Sequence, residues 1–243
     1  MTAWLQVWWV LFHGIFGQNI LLPIISGPKQ ASCTTPTGSH FTESFGDSST
    51  LCWTAGPSSC NHTWTIGSGS IQSIIASPGT PPANTACANS LQLAIATGSN
   101  DYISSNFTGI PAATNYDVTG TVYVSSGMNM AAVNVFLCMT ASAGDCDISG
   151  GTIIALGLYS PDGSTQQLIG IGTGFSGATT ISTSAWHTFD LHHDSTAANC
   201  SIAVDGGTPS TFTCNVATAG TIYMGIEHYS PQATTIAVGN VAF

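Results

Sequence analysis

Basic charge is almost missing from this chain of 243 residues. Lys29 is the only lysine, there is no arginine, and the formal net charge is −10. Charged residues make up 5% of the chain, where soluble proteins average about 25%. Without cations there can be no ion-pair networks, so stability has to come from packing, backbone ladders and cross-links. The same lack leaves nothing to neutralise phosphates, which excludes nucleic acid as a partner. It also leaves no polybasic patch to hold an anionic membrane surface. Glutamate is scarce, with only Glu43 and Glu227. Helical periodicity is absent beyond an apolar N-terminal run. No Cys-x-x-Cys occurs, so a zinc-ribbon or dithiol redox motif has no support. No Gly-x-Ser-x-Gly leads into a helix, and no glycine loop is built to cradle phosphate. There is no internal repeat.

What is present points to one large all-β domain. The hydrophobic share of 43% is enough for a sizeable core. The eight cysteines form an even set, and proximity pairs them as Cys52–Cys60, Cys138–Cys146 and Cys200–Cys214, leaving Cys33–Cys87. Eight cysteines allow about 105 connectivities, so proximity is a first choice among many, and buried free thiols are the alternative. Disulfides would place the protein in an oxidising compartment, secreted or at the cell surface.

Residues 4–25 are apolar and uncharged, long enough to span a bilayer. A signal peptide is the first reading and a retained membrane anchor the second. A mis-set start or a structural segment is the third. The n-region lacks a basic residue, and no clean small-x-small site precedes Cys33. The expected division is therefore residues 1–31 as signal or anchor plus linker, and residues 32–243 as the folded domain. Membrane contact, on this reading, comes only through the N-terminal segment. Asn61-His62-Thr63, Asn106-Phe107-Thr108 and Asn199-Cys200-Ser201 are glycosylation sequons in a host with that machinery.

Short alternating runs separated by Gly/Pro/Ser turns predict about thirteen strands, near residues 39–45, 71–76, 91–96, 102–107, 116–124, 133–139, 153–159, 167–171 and onward. Leu91, Leu93 and Ile95 alternate cleanly. In residues 133–139 the period-two rule sets Val133, Val135, Leu137 and Met139 on one face, and Asn134, Phe136 and Cys138 on the other. Such a series indicates a two-sheet antiparallel β-sandwich.

Residues 186–214 organise the rest. Trp186 opens a strand and is assigned to the core. Phe189 and Leu191 share one face of that strand, Asp190 and His192 the other. A hairpin follows, with Ile202 and Val204 alternating and Asp205-Gly206-Gly207 tolerating positive φ. Folded about Gly207, it sets Ile202 opposite Phe212 and Cys200 opposite Cys214, which can close as a disulfide.

This stretch resembles the laminin-G-like members of the concanavalin A-like lectin/glucanase superfamily. The resemblance rests on Trp186-His187 opening a strand and on Val204-Asp205-Gly206 ending the next. It is extended by Ile222-Tyr223-Met224-Gly225 and by the closing Val238-Gly239-Asn240-Val241-Ala242-Phe243. It covers residues 39–243 and implies a jelly-roll sandwich. It specifies function poorly, because this fold hosts many functions.

A glycosidase needs a carboxylate pair across the scissile bond. The glucanase branch carries Glu-x-Asp-x-x-Glu on one strand, and the matching strand here, residues 133–139, has no acid. Asp145 and Asp147 flank Cys146 at the predicted disulfide loop and read as solvated. The chain is therefore expected not to be an enzyme. His187, His192, His193 and His228 fall in one region, but a zinc or copper site needs three or four converging ligands. Strand parity separates His192 from His187 and His193. The resemblance implies one structural Ca²⁺ between the first and last strands, held by Glu43 and Asn240. Asp162 and Asp205 read as Asp-Gly turn residues. Trp64, Tyr102, Tyr159, His228 and Tyr229 are the candidate aromatic platforms for a glycan. The expected function is non-catalytic binding of a glycan or cell-surface polysaccharide, or adhesion. A self-assembling surface or appendage subunit is the alternative, and a diverged glycoside hydrolase the third reading.

Overall fold

The computed structural model describes residues 42–43, 45, 65–66, 72–79, 89–95, 100–110, 115–140, 152–173, 175–194, 199–215, 220–229 and 234–242. Among these residues all regular structure is β. The strands are β1 (Thr42–Glu43), β2 (Thr65–Ile66), β3 (Gln72–Ala76), β4 (Asn89–Ile95), β5 (Asn100–Ile110), β6 (Tyr116–Val124), β7 (Ala132–Thr140) and β8 (Thr152–Ser160). They continue as β9 (Gln167–Ile171), β10 (Phe175–Thr180), β11 (Ala185–His193), β12 (Cys200–Val204), β13 (Ser210–Phe212), β14 (Gly220–Tyr229) and β15 (Thr234–Ala242). The larger, eight-stranded sheet runs β13-β12-β11-β6-β15-β4-β3, with β1 also paired to β15. The smaller, seven-stranded sheet runs β10-β9-β8-β7-β14-β5-β2. All pairings are antiparallel.

The core lies between the sheets. Strand β6 sends Val118 and Val122 inward, β11 sends Phe189 and Leu191, and β15 sends Ile236, Val238 and Val241. From the smaller sheet come Phe136, Leu137, Met139, Leu156, Leu158 and Leu168. Each fully buried side chain of this kind stabilises the fold by roughly 1.5–3 kcal/mol. Two glycines let aromatic rings settle close to backbone. The ring of Phe189 lies over Gly120, where a Cβ would stand 2.6 Å from Cζ. Phe212, on the edge strand of the larger sheet, lies against Gly170 of the smaller one, where a Cβ would overlap its Cε1 and stand 2.6 Å from its Cζ. Nearby, the Thr173 amide donates to the Thr213 carbonyl across 3.0 Å, tying the two sheets at this end.

Strand β7 departs from simple alternation. A bulge between Val135 and Leu137 shifts its register against β8. Phe136, Leu137 and Met139 consequently all join the inter-sheet core. Val135 and Cys138 belong instead to a separate cluster with Ala155, Ile169 and Ile171, with Val133 and Tyr159 packed against it. The expected grouping of Val133 and Val135 with Leu137 and Met139 is therefore corrected, because one extra residue reverses the facing of everything beyond it.

The hairpin of β12 and β13 is present, in a different register. Cys200 pairs with Phe212, and Ile202 with Ser210. The chain turns earlier than Gly207: Asp205 and Gly206 take φ of 52° and 69°, and the Gly207 amide donates to the Val204 carbonyl across 2.9 Å. Positive φ at two successive residues is the turn that matches strand twist. Moving the pivot back to Gly206 slides every pairing by two. Cys200 and Cys214 still meet, with Cα atoms 5.9 Å apart, and form a disulfide. Cys138 is also disulfide-bonded. Its expected partner Cys146 lies outside the described residues, as do Cys33, Cys52, Cys60 and Cys87. The disulfides fit an oxidising, extracellular setting. No helix among the described residues is long and apolar enough to cross a membrane. The apolar run at residues 4–25 lies outside them.

Candidate functional site

The aromatic candidates separate by strand. Register sets Tyr102 of β5 opposite Glu227 of β14, and Tyr229 opposite Asn100. Tyr102, His228 and Tyr229 thus fall on one pair of strands in the smaller sheet, Tyr102 and Tyr229 at positions of the same face and His228 at a position of the opposite one. Tyr159 sits on β8, two strands away across β7, half-buried against the Val135 and Cys138 cluster. Trp64 lies outside the described residues, although β2 just after it pairs with β5. Trp186 is buried as expected; its indole N–H donates to the Pro78 carbonyl across 2.6 Å. It also meets Tyr123 with ring centroids 5.5 Å apart.

On the outer face of the larger sheet the structure assembles a polar cluster only partly visible in the sequence. Asp190 and His192 share this face of β11, as alternation predicts. Across the β11–β6 ladder His192 pairs with Asp117, and its Nδ1 lies 2.7 Å from an Asp117 carboxylate oxygen. Asp117 carries no motif of its own, and its signal lay only in the pairing of two strands far apart in sequence. Burial raises the pKa of Asp190, the Asp117 charge adds to the rise, and His192 opposes it. A carboxyl raised in the folded state contributes stability that is full below its ordinary value of 3.8 and lost as pH rises through the folded value. Ionised Asp190 therefore opposes folding at neutral pH. Asp190→Asn is expected to raise the unfolding temperature at pH 7, with the gain shrinking toward pH 4. Thermal unfolding at both pH values checks this, and an equal gain at both would exclude ionisation as the cause.

His187, on the core side of β11, is buried and fully engaged. Its Nδ1 lies 2.8 Å from an Asp205 carboxylate oxygen, and its Nε2 lies 2.9 Å from the Ser182 carbonyl. Asp205 also accepts from the Thr188 amide at 2.9 Å, so the hairpin turn is clasped to β11. Asp162 behaves as a turn residue as well. It accepts from the Ser164 amide at 2.8 Å, from the Thr165 amide at 2.6 Å and from both hydroxyls. Those bonds hold its carboxyl well below the usual range.

The residues expected to hold calcium lie near one another in the β1–β15 ladder. Glu43 pairs with Val241, beside Asn240. The amide oxygen of Asn240 is buried and already accepts from the Thr121 hydroxyl at 3.1 Å.

Two antiparallel sheets in this order form a β-sandwich of the concanavalin A-like type. No protein-family model matches the chain, and no curated protein does. Among solved structures the chain is similar to the globular domain of T. cruzi calreticulin. That match is 11% identical with a TM-score of 0.52, covering 84% of this chain and 87% of that one. It is also similar to a polysaccharide lyase of family 18, at 12% identity and TM-score 0.43, covering 73% of this chain and 95% of that one. An alginate lyase from Corynebacterium sp. matches at 7% identity and TM-score 0.43, covering 66% of this chain and 80% of that one. The expectation that the chain is not an enzyme is corrected here, because polysaccharide lyases are among the chain's structural neighbours. The missing glucanase acid pair excludes one hydrolytic mechanism and leaves catalysis as such open.

Proposed function

We propose that this chain is an extracellular carbohydrate-recognising sandwich, laminin-G-like within its superfamily, that takes a neutral glycan along the β5–β14 seam. The observation that carries this reading is the register that brings Tyr102 and Tyr229 onto paired strands at positions of one face, with Glu227 and Asn100 opposite them. Aromatic rings offer flat apolar faces to a sugar, and Asn100 and Glu227 on the same strands add amide and carboxylate partners. The net charge of −10 with one basic residue argues for a neutral polymer, since a polyanion would be repelled and find no cation to bind.

The test is a panel of neutral and acidic polysaccharides offered to the full oxidised chain, read for binding and for shortened products. Saturable binding to a neutral glycan is expected, weakened about tenfold by Tyr102→Ala or Tyr229→Ala. Accumulating products would make the chain an enzyme on that glycan. Binding restricted to acidic polymers, or untouched by both substitutions, would sink the proposal.

A further inference from the structure

We propose that His193, Cys200 and Cys214 form a latent thiolate–imidazole site for a divalent transition metal such as Zn²⁺, closed while the disulfide is intact and opened by its reduction. One nitrogen of His193 and the two sulfurs lie within 4.8 Å of one another, and all three residues are buried. Two thiolates and an imidazole are the ligand types zinc takes, at about 2.0–2.3 Å from the metal.

The surroundings fit that role. His193 has no solvent exposure, and its ring stacks on Tyr116 with centroids 4.4 Å apart and planes 8° from parallel. Its Nε2 lies 2.8 Å from the Asn215 carbonyl, which can only accept, so Nε2 carries a proton. Metal-binding histidines are commonly held through their other N–H in this way. The Asp194 amide donates to Cys200 Sγ across 3.2 Å, a bond that would strengthen on a thiolate. The sequence hid this group, because the three ligands stand on different elements with no Cys-x-x-Cys between them. The hairpin turn and the β11–β12 ladder bring them together.

The chemistry balances. A dithiol reductant gives two electrons and two protons to the disulfide, becoming a disulfide itself and leaving Cys200 and Cys214 as thiols. Binding Zn²⁺ releases those two protons, so the bound group of two thiolates, one neutral imidazole and one dication has no net charge. A neutral group is what this buried position can hold. Three protein ligands leave a fourth position for water.

The site is testable on the full chain, reduced with a phosphine under anaerobic conditions. Alkylation of each cysteine is followed by mass spectrometry with and without Zn²⁺. Circular dichroism reports whether the β-structure persists. The expected result is alkylation of Cys200 and Cys214 slowed at least tenfold by Zn²⁺, reversed by a chelator. His193→Gln is expected to abolish that protection. Absence of protection at Cys200 and Cys214 in the wild-type chain would overturn the proposal, as would protection unchanged in His193→Gln. A chain that unfolds on reduction and is not refolded by Zn²⁺ would overturn it equally. Should the His193 variant itself not fold, Co²⁺ titration of the reduced wild-type chain decides. A sulfur-to-cobalt charge-transfer band lost in Cys200→Ser/Cys214→Ser supports the site, and an identical spectrum in both proteins refutes it.

Discussion

Replacing Gly120 by alanine is expected to cost more stability than any conservative core substitution in this protein. Gly120 sits in the middle of β6, between Thr121 and Thr119, opposite Phe189 on one side and Val241 on the other. An added Cβ would overlap the Asn240 carbonyl oxygen and stand 2.6 Å from Phe189 Cζ. Overpacking by a methyl costs about 1–3 kcal/mol where neighbours are side chains that can rotate. Here one neighbour is backbone, fixed within the β6–β15 ladder at the irregularity between Val238 and Asn240. Phe189 cannot retreat freely either, since it is packed in the inter-sheet core. The expected loss is therefore about 3 kcal/mol or more. Urea unfolding of the oxidised chain would show it as a lowered midpoint with little change in slope. A loss under about 1 kcal/mol would mean that β15 yields at its irregularity, and that this part of the larger sheet is softer than its ladder implies.

Gly120 also shows why some of this fold was legible in the sequence and some was not. Strands β6 and β9 fall where the residue pattern puts them, Tyr116–Val124 and Gln167–Ile171, because each is a β-prone run between turn-forming flanks, β6 largely alternating and β9 buried on both faces. The inward facing of Phe189 and Leu191, and the outward facing of Asp190 and His192, follow from the same rule. Alternation says nothing about where it breaks. The bulge at Phe136 has no glycine or proline to announce it, and one inserted residue turned Cys138 away from the core side. The hairpin failed for a related reason. Asp205, Gly206 and Gly207 all tolerate the turn, and only the backbone reveals that the first two take it. Both disulfide half-residues survived that error because a shift of two positions preserves strand parity.

Side-chain pairs between distant segments were out of reach. The Asp117–His192 contact and the Gly170–Phe212 contact require knowing that β6 lies beside β11 and that β9 faces β13. The resemblance to concanavalin A-like sandwiches supplied the fold class but no residue-level pairing. Its enzymatic motif is a poor guide to catalysis, because the lack of one acid pair bears on one hydrolytic mechanism and on no other chemistry. The aromatic candidates behaved in the opposite way. They stand far apart in sequence, and only the β5–β14 register sets Tyr102 and Tyr229 on one face of paired strands.

Removing the Cys200–Cys214 bridge is expected to have the second largest effect. In the oxidised protein it closes a loop with a sequence separation of 14. A loop of about that length restricts the unfolded chain by roughly 3 kcal/mol. Both cysteines are also fully buried and belong to the inter-sheet core. The double substitution Cys200→Ala/Cys214→Ala keeps apolar groups there, so most of the loss should come from the freed unfolded chain. Two readouts separate that cause from lost packing. If the unfolded state expands, the urea slope should rise while the midpoint falls. If packing is responsible, the midpoint should fall at constant slope. A third outcome, with neither changed, would show that the turn at Asp205 and Gly206, clasped by His187 and Thr188, holds the hairpin without a covalent bond. In that case the disulfide could open at little cost to the fold, the condition under which two thiolates beside His193 become available to a metal.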